Sequence, residues 1–296
     1  MLRIGLFLMT NAAVLVIASI SLNLLGVGSY LDETGTGLNL TSLLIFCGVF
    51  GFAGAFVSLF ISKWIAKWST KAKVIEQPSN EQEKWLVDTV AELAKKADIG
   101  MPDVAIFPSQ QSNAYATGWN KNSALVAVSA GMLSRFERDE VRAVMAHEIG
   151  HVANGDMITM TLIQGIVNTF VMFFARIIGH TVDRVILKNN RGHGIGYYVA
   201  TFISEIILAF LANMIVAWFS RQREFRADYA GAKFGDKGSM IRALQRLQTE
   251  SRQRGANQMP DTMAAFGICS AMPSNMRALF STHPPLDVRI AALEKL

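Results

Sequence analysis

The stretch TSLLIFCGVFGFAGAFVSLFI, residues 41–61, carries no charged side chain. A helix needs about 20 mostly apolar residues to cross the hydrocarbon layer of a bilayer, so this stretch predicts a membrane span. Immediately after it come Lys63, Lys67, Lys71 and Lys73, with Trp64 and Trp68 between them. Lysine clusters stay on the cytoplasmic side of a membrane and tryptophan prefers the headgroup level, so the chain leaves this span on the cytoplasmic side. Working outward, residues 4–25 also lack charge, residues 157–178 contain only Arg176, and residues 196–219 only Glu205. The sequence thus predicts about four apolar helices. Hydrophobic residues make up 51% of the chain and charged ones 17%, with mean hydropathy +0.29. That balance excludes a disordered chain and argues against a wholly soluble one.

Two other readings compete. Residues 4–25 compare with a cleaved signal peptide, but the run exceeds the usual ~7–15-residue apolar core and a second run follows almost at once. Residues 157–178 and 196–219 compare with buried helices of a soluble core, which periodicity alone does not separate from spans. The loop over residues 26–40 holds Asp32 and Glu33 and no Lys or Arg, and Arg3 precedes the first run. Both ends of the first hairpin therefore face the cytoplasm. The loop between the third and fourth runs carries Arg184, Lys188 and Arg191 and breaks this pattern. Either the charge rule is overridden there, or the second hairpin enters the bilayer without crossing it. His180 and His193 fall in that loop and read as solvated. Arg176 and Glu205 read as an intramembrane pair facing the bundle interior.

Residues 76–156 have the texture of a folded polar domain. Trp85, Leu86, Val90, Leu93 and Ala94 recur at helical spacing within residues 80–98. Gly100, Pro102 and Asp103 signal a turn. Residues 104–107 and 124–129 are short β-prone runs, and with residues 113–118 between them they predict a small sheet with an open edge. A second helix covers about residues 138–154, with Glu137 and Glu140 at its positive end. Residues 220–234 and 239–251 read as further helices, and residues 252–281 as loop. The two cysteines, Cys47 and Cys269, read as unpaired. The net charge of +5 is spread over membrane flanks and helices, which argues against a nucleic-acid partner.

His147-Glu148-Ile149-Gly150-His151 is an H-E-x-x-H pattern on the second of these helices. Residues four apart share one helical face, so two imidazoles at this spacing can hold one Zn²⁺. Glu148, between them, can take a proton from a water that the metal acidifies. A catalytic zinc site keeps three protein ligands and one open position, so a third ligand must come from elsewhere. Glu224 is the candidate. Asp228, one turn later, would accept a hydrogen bond from a ligating histidine and fix its tautomer. On spacing alone, salt bridges from Glu224 and Asp228 to Arg221, Arg223 or Arg226 are an equally good account. An even number of membrane passes separates the two halves of this constellation, so both lie on one side. His283, in Thr282-His-Pro-Pro285, either stabilises an oxyanion, approaches the open metal position, or is an ordinary loop histidine. Arg289 is a candidate anchor for that loop.

These motifs, together with Val74-Ile-Glu-Gln-Pro78, Asn113-Ala-Tyr-Ala-Thr-Gly118 and Asn154-Gly-Asp156, resemble the HtpX family over essentially the whole chain. These are bacterial membrane-bound zinc metallopeptidases related to the Ste24 family. Arg226 stands where the family often has His, at a position that is not a ligand. The resemblance implies one Zn²⁺ per chain held by His147, His151 and Glu224, with Glu148 as catalytic base. It also implies substrate lying against the strand at Asn113, Ala114 and Tyr115, which fits backbone pairing at a sheet edge. The expected fold is mainly α with a small β-sheet: an integral membrane protein with about four apolar helices and a zincin-type catalytic domain facing the cytoplasm. Its parts are an N-terminal hairpin (1–73), a split peptidase domain (74–156 and 220–296) and a second hairpin (157–219). The implied setting is the bacterial inner membrane, multi-pass, with misfolded membrane proteins as polypeptide substrates under stress. Two other functions remain beside this one: a scaffold or holdase that keeps zinc for folding only, and a protease that cleaves within the bilayer. The charged run Glu137, Arg138, Asp139, Glu140 and Arg142 favours a site at the membrane surface over the latter.

Overall fold

The structure is a computed structural model that describes residues 39–189, 192–253 and 281–296. The expected helix over residues 4–25, the loop with Asp32 and Glu33, Arg191 and Cys269 lie outside the described residues. In chain order the elements are α1 (Leu40–Thr70), β1 (Lys73–Val74), α2 (Glu81–Lys96), β2 (Asp103–Phe107), β3 (Ala114–Gly118) and β4 (Ala124–Ser129). They continue with α3 (Ala130–Arg135), α4 (Arg138–Asn154), α5 (Asp156–Thr181) and a π turn (Val182–Ile186). The last are α6 (Ile195–Phe234), α7 (Lys237–Gln253) and α8 (Leu286–Glu294). The chain divides into two compact units, the described part of residues 1–57 with 161–216, and residues 58–160 with the described part of 217–296.

The first unit is built from apolar helix. Among the described residues, three helices are long and apolar enough to cross a membrane: α1, α5 with its π turn, and α6. Small residues set their spacing. A Cβ added to Gly51 would lie 2.6 Å from Thr169 Oγ1, and one added to Gly165 would lie 2.6 Å from the Phe52 ring. Such close approach is how helices associate in lipid, where no hydrophobic force draws them together. Arg176 Nη1 stands 3.4 Å from Glu205 Oε1, so the two intramembrane charges meet. Cys47 is free and buried.

The loop reading of His180 is overturned. His180 is buried and lies within α5, which runs on through the π turn to Ile186. The reversal comes later because the buried Asp183 carboxylate organises it, accepting from Asn189 Nδ2 and from the Gly194 amide, both at 2.9 Å. His193 is exposed, as the sequence predicts.

The second unit holds a four-stranded sheet in the order β1-β2-β4-β3, with β2 and β4 parallel and the other pairs antiparallel. Alternation sends Val104, Ala114, Ala116, Val126 and Val128 to one face, against Leu86, Val90 and Leu93 of α2 and Val141, Met145 and Ile149 of α4. Ala105, Phe107, Tyr115, Leu125 and Ala127 take the other face, with Ala72 and Val74. There the Tyr115 hydroxyl meets Thr70 Oγ1 at 2.9 Å, so the end of α1 lies along this face.

Among the described residues β3, the piece predicted over residues 113–118, lies at an edge of the sheet. The Ser129 amide donates to the Asn113 carbonyl at 2.9 Å. Hydrogen bonding in an antiparallel pair alternates, so Tyr115 and Thr117 also bond inward to β4, while the amides and carbonyls of Ala114 and Ala116 face the open side. The start of the edge is held by one hydroxyl. Buried Ser129 Oγ accepts from the Asn113 amide at 3.0 Å and caps α3 by accepting from the Met132 amide at 3.1 Å. Ser129→Ala removes both acceptors and should lower stability by about 1–3 kcal/mol, measured by thermal melting in detergent.

Candidate metal centre

The centre is assembled where α4 and α6 cross. α4 begins with a reciprocal cap, the Glu137 amide donating to Glu140 Oε2 at 2.9 Å, and Glu140 lies in its first turn. It ends at Gly155, whose φ of 67° is the left-handed conformation that glycine adopts without strain. That turn starts α5 at once and swings Asp156 back toward the last turn of α4. The α4–α6 crossing is close because it is lined by small residues. A Cβ on Gly150 would lie 2.6 Å from Ala230 Cβ and 3.4 Å from the Ala227 carbonyl. One on Gly231 would lie 3.4 Å from His147 Cβ, and one on Gly235 3.3 Å from Ala146 Cβ. Gly231 and Gly235 are one turn apart, so a single flat stripe of α6 lies against α4.

This approach carries Glu224 to the histidine pair. His147 Nε2 and His151 Nε2 are 3.2 Å apart. Glu224 Oε2 lies 3.6 Å from His147 Nε2, and Oε1 lies 3.4 Å from His151 Nε2. A tetrahedron with zinc–ligand bonds of about 2.0–2.1 Å has edges of about 3.3–3.4 Å, so these separations match the spacing of ligands around one such ion. Two imidazole nitrogens and a carboxylate oxygen are also a donor set that zinc accepts. The residues present therefore fit the metal.

A second layer of carboxylates holds the imidazoles. His147 Nδ1 stands 3.0 Å from Asp228 Oδ1, and His151 Nδ1 stands 2.7 Å from Asp156 Oδ2. Burial opposes a charge on His151, but the carboxylates of Asp156 and Glu224 outweigh it and raise its pKa to about 9. At His147 burial acts the same way, and Asp228 and Glu224 again prevail, raising its pKa. Both rings sit in a field that favours positive charge. Buried Arg289, from α8, donates through Nε to Asp228 Oδ2 at 2.8 Å and lies 3.4 Å from Glu224 Oε2.

The structure thus brings His147, His151 and Glu224 together, with Glu148 largely buried on the same turn of α4. Asp228 touches His147. The alternative partners on α6 are not used: Asp228 takes Arg289, and Arg226 reaches Asp156 instead, at 3.6 Å. His283 is mostly exposed and places Nδ1 2.8 Å from Glu224 Oε2. Arg289 and His283 both meet Glu224 Oε2, and Arg221 ties the loop directly by donating to the Ser281 carbonyl at 2.8 Å. Asn113, Ala114 and Tyr115 lie at the start of β3, and Ala114 packs on the same side of the sheet as α4. Sequence reasoning missed the contacts of Asp156 and Arg289 with the centre. Asp156 had a signal: an acidic residue just past a helix-ending Gly falls within a turn of the last histidine. For Arg289, 61 positions from Asp228, no local signal exists.

A model of peptidase family M48 matches residues 80–296. The chain is 63% identical over 293 residues to Protease HtpX of Hahella chejuensis, covering 99% of each chain. It is 62% identical over 293 residues to Protease HtpX of Cellvibrio japonicus, covering 99% of this chain and 98% of that one. Among solved structures, the crystal structure of S. mikatae Ste24p superposes with a TM-score of 0.61 at 19% identity. The match covers 97% of this chain and 66% of that one, a likeness of fold.

Because Gly150 sets the α4–α6 spacing, Gly150→Ala should cost about 1–3 kcal/mol, read as a fall in melting temperature. Adding Ala230→Gly removes the opposing methyl and should restore part of that loss. If the pair proves strictly additive, the two helices do not meet at this point.

Proposed function

The chain belongs to peptidase family M48 and is a membrane-bound metalloprotease, and on that premise we propose that its metal is zinc, held by His147, His151 and Glu224. The observation that supports this is the trio of ligand separations, all close to the edges of one zinc tetrahedron. A zinc ion bound there supplies a Lewis acid that acidifies water to near-neutral pKa and polarises a scissile carbonyl. Glu148 accepts the proton from the attacking water and delivers it to the leaving amine. Asp228 and Asp156 fix the His147 and His151 rings so that each Nε2 is presented to the ion. His283, exposed and beside Glu224, stabilises the developing oxyanion.

Substrate docks as an extended strand on the free side of β3. Of Asn113, Ala114 and Tyr115, the free backbone groups belong to Ala114, and the register adds Ala116. Asn113 and Tyr115 turn their backbone groups inward to Ser129 and β4, so neither presents its backbone to an added strand. Pairing through backbone groups accepts many sequences, which suits misfolded membrane proteins as substrates. We place the protein in the bacterial inner membrane with this unit in the cytoplasm, on the strength of the lysine run after residue 61. Cleavage at the surface rather than within the bilayer is favoured because α4 opens with Arg138, Asp139 and Glu140 and is not among the apolar helices.

Three variants test the assignment. Glu148→Gln should keep one zinc per chain and lose at least ~10²-fold in cleavage of an unfolded substrate. Glu224→Ala should abolish stoichiometric zinc by elemental analysis; unchanged metal content would require another third ligand. Asp156→Asn should weaken zinc affinity about 10–100-fold in a chelator competition while leaving the fold intact. A wild-type protein that binds zinc yet cleaves nothing would instead fit the scaffold reading.

A further inference from the structure

One end of the small sheet is unlike the rest of its unit. Two turns lie side by side there, residues 98–102 before β2 and residues 119–123 between β3 and β4. The Gly100 amide donates to Asn122 Oδ1 at 3.0 Å, and Lys121 Nζ reaches the Asp98 carbonyl at 3.3 Å. From this end Met101 and Trp119 project with nearly half their surface exposed, 48% and 46%. Isolated apolar residues at a surface need no explanation, but this pair is fastened to a helix whose surroundings are known. The Trp119 ring packs on Phe60 of α1 with centroids 5.9 Å apart, and Asp103 at the start of β2 pairs with Lys63 at 2.8 Å.

Phe60 lies at the end of the apolar span over residues 41–61. One and two turns farther on, Trp64 and Trp68 follow on the same face, exposed and stacked with ring planes 3° apart. Tryptophans at this point of a span mark the headgroup layer. A side chain in contact with Phe60 therefore stands at the boundary of the hydrocarbon. Charge agrees. Lys121 lies in the turn itself and Lys67 between Trp64 and Trp68 on α1, Lys63 is neutralised by Asp103, and the opposing carboxylate is Asp98. A net positive, aromatic surface continuous with a membrane span is complementary to anionic headgroups.

The sheet also has a direction relative to that boundary. Trp119 meets α1 at Phe60, while Tyr115 meets it at Thr70. Ten helical residues rise about 15 Å. β3 thus climbs away from the bilayer alongside α1, with Gly118 at the bottom and Ala114 at the top.

We propose that the turns carrying Met101, Trp119 and Lys121 form a lipid-docking surface, seated in the headgroup layer of an anionic bilayer beside the Trp64–Trp68 collar. The open edge of β3 then begins at the bilayer surface. The substrates it selects are polypeptide segments that emerge from or lie against the membrane, within roughly the 15 Å that the strand spans. This last step rests on the edge pairing proposed above; the lipid docking does not.

Docking is tested by depth, without reference to activity. In a full-length chain with both native cysteines replaced, one fluorophore is attached at Lys121→Cys, Trp64→Cys or Glu81→Cys. Glu81 starts α2 and lies at its far end from the Asp98 turn, about 24 Å along the helix. Each protein is placed in nanodiscs of phosphatidylethanolamine and phosphatidylglycerol containing a lipid with a headgroup-attached spin label. Quenching at position 121 should match position 64 and clearly exceed position 81. Quenching at 121 no greater than at 81 overturns the docking. Substrate selection is tested separately with the Met101→Ser, Trp119→Ser double variant, on one peptide supplied either free or tethered to lipid. A severalfold loss confined to the tethered peptide supports the selection, and equal loss on both, or on neither, overturns it. If position 121 docks but the parent protein cleaves neither form of any peptide, the protease reading has failed and the docking stands.

Discussion

Everything the centre does depends on how closely α4 and α6 approach. Three glycines, Gly150 on α4 and Gly231 and Gly235 on α6, each face a Cβ of the other helix with no side chain of their own where the helices cross. A carboxylate has a short reach, so Glu224 arrives within 3.4–3.6 Å of two imidazole nitrogens because the backbones are nearly in contact. A larger residue on that stripe would part the axes by more than the tolerance of a zinc bond. The chain begins α6 in an apolar stretch and ends it at a buried polar centre.

Charge balance is the second constraint. Glu148, Glu224, Asp156 and Asp228 are all largely buried around the two histidines. Buried carboxylates are tolerated when they are paired or bind a metal. Arg289 answers Asp228 with two hydrogen bonds and lies near Glu224, and Arg226 approaches Asp156. One arginine fully inside the cluster does not balance four carboxylates. The two histidines, whose pKa values the same carboxylates raise, or a bound cation must supply the remaining positive charge. Charge balance also explains why α8 must close over the centre: without Arg289, Asp228 would face His147 with its other oxygen unanswered.

The legible parts of this architecture were those with a local signature. Long apolar runs with at most one charge marked α1, α5 and α6, the H-E-x-x-H spacing marked the face of α4, and the Gly and Pro around residue 100 marked the turn before β2. The three predicted strands paired as a sheet with an open edge, because their β-prone residues alternate between two buried faces. What was hidden had no local trace. β1 is two residues long and exists only because β2 offers an edge. His180 looked like a loop residue because apolarity ends at Ile178, yet the helix continues until Asp183 turns the chain through its own hydrogen bonds. The spacing of Glu224 and Asp228 fitted surface salt bridges as well as a metal site. What decided between them was Gly150, whose role as a contact surface for Ala230 requires knowing which helix lies opposite.

The same α1 that carries the uncharged run also runs up the back of the sheet, from Phe60 at Trp119 to Thr70 at Tyr115. Its far end closes one sheet face while α4 closes the other, so the open edge of β3 is the exit left for an added strand. Ala114 and Ala116 place small side chains toward α4 on that edge, leaving the backbone rather than the side chains to make the contacts. Recognition through backbone groups discriminates poorly by sequence, so selectivity must come from which chains can reach the edge extended. The lipid docking proposed for the Met101 and Trp119 turns would supply such a filter by position: folded domains present no free strand, and segments far from the bilayer would not meet the edge. On the proposed edge pairing, position relative to the membrane would do the work that a specificity pocket does in a soluble peptidase.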